Sequence, residues 1–83
     1  MKEEFTITSN RASSIVVIEL KKISESTQQL LIYDVKGNVV KRVYVSENTK
    51  FIDVNVSELS SGYYIVSVSS QNSVESKPLI IVE

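Results

Sequence analysis

The stretch Leu59–Ser70, LSSGYYIVSVSS, decides the fold class. Leu59-Ser60-Ser61-Gly62 is turn chemistry, and it runs directly into two tyrosines and an apolar/polar alternation with the period of a β-strand. Gly62 falls where a tight turn must become a strand, and a residue without Cβ permits backbone angles closed to the others. Leu59, three residues earlier, is placed to tuck under that turn as a plug. Beyond it, Tyr64, Val66 and Val68 are expected on the core face. Tyr63, Ile65 and Ser67 are expected on the other, with Ser67 and Ser69 assigned to water.

The same period recurs along the chain, separated by Ser/Asn/Gly/Glu clusters. Phe5–Thr8 reads as a first, edge strand. Ser14–Lys21 follows, with Val16, Ile18 and Leu20 on one face and Val17, Glu19 and Lys21 on the other. Ile23–Gln28 is a polar connection. Gln29–Val35 and Val39–Val45 form a hairpin around Val35-Lys36-Gly37-Asn38, where Gly37 and Asn38 are the residue types that most readily take positive φ. Leu30 and Ile32 are predicted to face the core, Leu31 and Tyr33 to face away. Asp34 is placed to accept backbone N–H bonds from the Lys36-Gly37 turn. Ser46-Glu47-Asn48 is a turn into Thr49–Val56, whose Ile52, Val54 and Val56 share a face while Asp53 and Asn55 point to water. Gln71-Asn72-Ser73 turns the chain into Val74–Val82. Pro78 cannot donate to a ladder, so this last strand is at an edge or begins at Leu79.

Several short strands with turn signals between them point to an all-β fold, an immunoglobulin-like antiparallel β-sandwich of about seven strands, with a small closed barrel as the alternative. At 83 residues the chain, 1–83, is one domain with a small core. An apolar share of 42% and a net charge of -1 argue against disorder, and the near-neutral balance argues against a nucleic-acid partner. No run approaches the length of a membrane span, and MKEEFTITSN has no signal-peptide core. If the domain works outside the cytoplasm, an export signal has been removed or lies on a longer parent chain.

The chain has no cysteine and no histidine. Disulfides, thiolate zinc sites and thiol catalysis are thereby excluded, and the usual general base is missing. Glu3-Glu4, Asp34, Asp53 and Glu58 lie in polar stretches without the apolar surroundings that raise a carboxyl pKa, so they read as solvated groups. Serines could pair with lysines only by chance spacing. Gly37 and Gly62 stand too far apart for a phosphate loop, and no Asp-rich loop offers a calcium site. Asn55-Val56-Ser57 fits a glycosylation sequon, but Val56 reads as core. Tyr33, Tyr44, Tyr63 and Phe51 could form an aromatic platform for sugars; half-buried cross-strand packing is the preferred reading. No cofactor or metal is expected. Binding, recognition and display remain.

Three ordered blocks carry a resemblance: Leu31-Ile32-Tyr33-Asp34-Val35-Lys36-Gly37-Asn38-Val39-Val40, then Val54–Val66 with its Leu59-Ser60-Ser61-Gly62-Tyr63-Tyr64 turn, then Lys77–Glu83. Together they resemble the C-terminal sorting domain of the type IX (Por) secretion system, found on cargo proteins of Bacteroidetes. That family shows an "I-Y-D-x-x-G-x-x-V" hairpin, an "L-x-x-G-x-Y-x-V-x-V" turn and strand, and a last "K-x-x-h-h-h-K" strand, where h is apolar. The likeness runs from about Leu30 to the end. In place of the family's "Y-P-N-P" element the chain has Thr8-Ser9-Asn10-Arg11-Ala12-Ser13, and Glu83 stands where a terminal lysine or arginine is frequent.

The resemblance implies a non-catalytic address label, exported through the periplasm to the cell surface or medium. Its implied partners are the secretion machinery and a sortase-like peptidase that cuts it from its cargo. By resemblance Gly37 makes the hairpin turn, and Leu59, Gly62 and Tyr64 set the second turn and anchor its strand. Lys77, Pro78, Leu79, Ile80, Ile81, Val82 and Glu83 form the strand presented to the machinery. The alternative is an immunoglobulin-like accessory or binding module of a secreted or surface protein; an enzyme fragment is remote. The oligomeric state is left open.

Overall fold

The computed structural model describes residues 5–7, 11–12, 14–20, 28–46, 48–69 and 74–82. They form β1 (Phe5–Ile7), β2 (Arg11–Ala12), β3 (Ile15–Leu20), β4 (Gln28–Tyr33), β5 (Val39–Val45), β6 (Phe51–Asn55), β7 (Gly62–Ser69) and β8 (Val74–Ile81). A three-stranded sheet has the order β1-β3-β6 and a five-stranded sheet the order β2-β8-β7-β4-β5. The chain is thus a sandwich of two open sheets, as expected, and not a closed barrel. Pairings are antiparallel except β2 with β8, where Arg11 lies opposite Ile80 and Ala12 opposite Ile81. This two-residue strand is the element that the alternation did not announce. The expected Ile23–Gln28 connection, the Gln71-Asn72-Ser73 turn, Thr8 and Lys21 lie outside the described residues, apart from Gln28, which opens β4.

Period-two burial builds the core. Val16, Ile18 and Leu20 of β3 and Ile52 and Val54 of β6, followed by Val56, face Leu30 and Ile32 of β4, Tyr64, Val66 and Val68 of β7, and Leu79 and Ile81 of β8. Phe5 closes one end of that filling, and the Lys77 ammonium lies over its ring at 5.7 Å. Every expected core residue named above is buried. Ser67 is the exception on the other side: expected in water, it is only 4% exposed. It is a small side chain in an interior strand, with Leu31 of β4 and Ser76 of β8 on either side of it.

The hairpin is closed by Asp34. Its Oδ1 accepts the N–H groups of Lys36 and Asn38, each at 2.9 Å, and its carbonyl accepts that of Gly37 at 3.0 Å. Gly37 supplies the positive φ (89°), whereas Asn38 does not take one; Asn48, in the next turn, does (64°). The pairing of β4 with β5 shifts at Ile32/Tyr33, which leaves Val40 as a bulged residue packed against the core. β5 then crosses to the other sheet as β6, and β6 returns through residues 56–61 to β7.

Candidate functional site

The return from β6 to β7 is a corner built by two residues. Gly62 sits at φ 151° with open space around a notional Cβ, so the position needs glycine for its backbone angle and not for room. Tyr64 folds back over the turn: its hydroxyl donates to the Ser60 carbonyl at 2.7 Å, four residues upstream. A tyrosine near the start of this strand, bonded to the preceding backbone, is the tyrosine corner of immunoglobulin-like sandwiches. Leu59 packs beneath it against the core, and its N–H donates to the Val56 carbonyl at 3.0 Å. The sequon-like Asn55 is part of the same corner, since its Oδ1 accepts both the N–H (2.9 Å) and the hydroxyl (2.7 Å) of Ser57.

This corner and the hairpin turn enclose an open groove lined by Asp34, Val35, Leu59, Ser60, Gly62 and Tyr63. The Asn38 backbone N–H holds the Asp34 carboxyl below its ordinary value of 3.8 against an opposing effect of desolvation, with the Asn38 side chain and the Lys36 N–H adding to the lowering. Glu58 pairs with Lys41 at 2.9 Å. The Asp34 carboxylate is committed to an acceptor role that favours its ionised form. Among the described residues no group of three or more His, Cys, Asp or Glu is placed to hold a metal ion. Among them, too, no helix is long and apolar enough to cross a membrane.

The structure gathers Leu59, Gly62 and Tyr64 at the groove and puts Gly37 nearby in the hairpin turn. It divides the last segment. Leu79 and Ile81 are core residues, Lys77 stands over Phe5, and Pro78 and Ile80 face outward, while Glu83 lies outside the described residues. β8 runs unbroken from Val74 through Pro78, so the strand does not wait for Leu79. Among the described residues, β2 is the strand paired to its outer side, at Ile80 and Ile81. Pro78 fits such an edge, where a missing N–H can face away from the ladder.

The aromatic residues depart from their expected role as half-buried cross-strand partners. Tyr44 is 72%, Tyr63 69% and Phe51 58% exposed; Tyr33 alone is half-buried. Phe51 belongs to the three-stranded sheet, whereas Tyr33, Tyr44 and Tyr63 share the outward face of the larger one. Period two shows which residues of one strand share a face. It does not show which strands are neighbours, so this grouping was out of reach of the sequence.

A sandwich that offers a corner groove, a strand edge and an aromatic face is a recognition domain. Residues 2–82, almost the entire chain, match the secretion system C-terminal sorting domain family, and the chain belongs to that family. A search of curated proteins finds no match. The family is one of sorting signals, so the chain's role is non-catalytic, and secretion places its work outside the cytoplasm.

Proposed function

We propose that this domain directs a cargo protein, fused ahead of it, through the outer membrane by the type IX secretion machinery. A sortase-like peptidase then cuts it from the cargo, which passes from the periplasm to the cell surface or medium. The family match over residues 2–82 carries this reading. The fold supports a docking mode as well. Among the described residues β8 is paired on its outer side by β2 alone, at Ile80 and Ile81, and a strand edge of that kind can offer backbone groups to an extended strand of the machinery, by β-augmentation.

Deleting residues 77–83 is a poor test of that mode, because it removes Leu79 and Ile81 from the core along with the edge. Ser76→Pro is cleaner: Ser76 is exposed and two residues from Pro78, so its N–H lies on the same side of the strand. A reporter fused ahead of residues 1–83, expressed in a host with a type IX system, should reach the medium or surface. Ser76→Pro should retain it inside while leaving the fold intact by circular dichroism. A parent fusion that stays inside defeats the sorting reading. A secreted Ser76→Pro fusion defeats only the edge mode.

A further inference from the structure

We propose that the outward face of the five-stranded sheet binds an acidic linear polysaccharide, a role beyond sorting and independent of it. The face is composed unlike a solvent surface. Ladder register places Pro78, Ile65, Tyr33 and Val39 in one row across four strands, with Ile80 and Tyr63 in the row above. Ser76, Ser67, Leu31 and Arg42 form the row below, followed by Val74, Ser69, Gln29 and Tyr44. No carboxylate stands among these side chains. Arg42 is the one charged group, exposed and without an ion pair among the described residues.

The three tyrosines lie along one diagonal. Tyr33 is opposite Ile65, two residues from Tyr63, which puts Tyr63 and Tyr33 about 7–8 Å apart. Tyr44 is opposite Gln29, four residues along β4 from Tyr33, so it lies roughly 13 Å further down the strand direction. Arg42 and Leu31 occupy the interval between those two. A pyranose ring presents polarised C–H bonds on its faces, which pack on the electron-rich face of an aromatic ring. Its hydroxyls find partners in Ser69, Ser76 and Gln29, and a uronate carboxylate finds a guanidinium fork in Arg42.

Size and charge choose this occupant over others. Four strands across and about 20 Å along them give a face of roughly 300–400 Å². That is about half of the roughly 800 Å² per partner that a stable protein pair buries. An extended chain of sugars, by contrast, needs only a narrow track of rings with one cation beside it.

Affinity electrophoresis of the full chain through gels containing polygalacturonate, alginate or neutral hydroxyethyl cellulose tests this. The acidic polymers should retard the protein. Tyr63→Ala and Arg42→Gln should each weaken retardation about tenfold, the equivalent of about 1.4 kcal/mol, and Phe51→Ala on the other sheet should leave it unchanged. Thermal melting confirms that the variants are folded. The proposal is overturned by no retardation, by equal retardation of parent and Tyr63→Ala, or by retardation in the neutral polymer alone. Sedimentation showing a dimer that Tyr63→Ala dissolves would overturn it in favour of a self-interface.

Discussion

On the three-stranded sheet the outward positions of β3 and β6 hold Ile15, Val17, Glu19, Phe51, Asp53 and Asn55, and Lys50 closes on Glu19 at 3.4 Å while its ammonium lies over Phe51 at 5.9 Å. On the four strands β8-β7-β4-β5 of the larger sheet the corresponding positions hold Tyr63, Ile65, Tyr33, Leu31, Pro78 and Ile80 around Arg42. Both sheets bury the same kind of aliphatic row inward. Folding therefore dictates the inner faces and leaves the outer ones free. The first outer face mixes Ile15, Val17 and Phe51 with Glu19, Asp53, Asn55 and the Lys50 ammonium. The second has a composition that water alone does not explain, and exposed apolar patches of that kind mark sites of interaction.

The sharpest way to test this division is within one strand. Leu79 is fully buried and Ile80 beside it faces outward. Leu79→Ala removes core contacts and leaves a cavity, and should lower the unfolding free energy by about 3 kcal/mol in urea titration followed by circular dichroism. Ile80→Ala should cost under about 1 kcal/mol. Similar losses at both positions would mean that the outward row is structural, and the contrast between the faces would collapse.

The adjacent tyrosines repeat the contrast at smaller scale. Tyr64 is 8% exposed and its hydroxyl is held by the Ser60 carbonyl; Tyr63 is 69% exposed. Tyr64→Phe removes the donor to the part-buried bond at the Ser60 carbonyl and should cost about 1 kcal/mol, whereas Tyr63→Phe should fall within error. A neutral Tyr64→Phe would show that the corner stands on Gly62 and Leu59 packing alone.

Much of this was legible in residue order, for a definable reason. In β3 and β6 the runs Val16, Ile18 and Leu20, and Ile52 and Val54, keep strict period two and carry every fully buried position, so face and burial agree. Asp34 and Gly37 are local signals within a few residues of what they bind. Ser67 failed because it lies in an interior strand, between Leu31 and Ser76. β2 failed because two residues carry no period; their strand exists only because Ile80 and Ile81 lie alongside. The aromatic face failed for the same non-local cause, since β7 and β4 meet across more than thirty positions of chain (Tyr33 with Ile65).

Outside both faces, the hairpin turn supplies a control through pH. The folded Asp34 carboxyl sits below 3.8, its unfolded value, so its contribution to stability is present above that pH and fades as pH falls through the lower folded value. Asp34→Ala should therefore melt lower than the parent by a constant margin from neutral pH down to about pH 5. The margin should narrow below pH 3.8 as the parent's own carboxylate is protonated. A margin unchanged at the acid end would assign the turn's stability to Gly37 rather than to the Asp34 acceptor.

The smallest effects are expected at Phe51 and Tyr63, one from each outward face. Both are largely exposed, so Phe51→Ala and Tyr63→Ala should each change the unfolding free energy by within about 0.5 kcal/mol. Phe51 loses in addition its contact with the Lys50 ammonium, worth about 0.5 kcal/mol at an exposed site. If anything, the charged face should lose slightly more stability than the aromatic one. That ordering matters because it separates the two explanations for an exposed tyrosine. A residue retained for the fold would show its effect in denaturation, and Tyr63 would then cost more than Phe51. A residue retained for contact with something else would be silent in denaturation and visible only when the other molecule is present. Equal stability of the two variants, set beside unequal retention on acidic polysaccharide, leaves the composition of the larger face with no source except recognition.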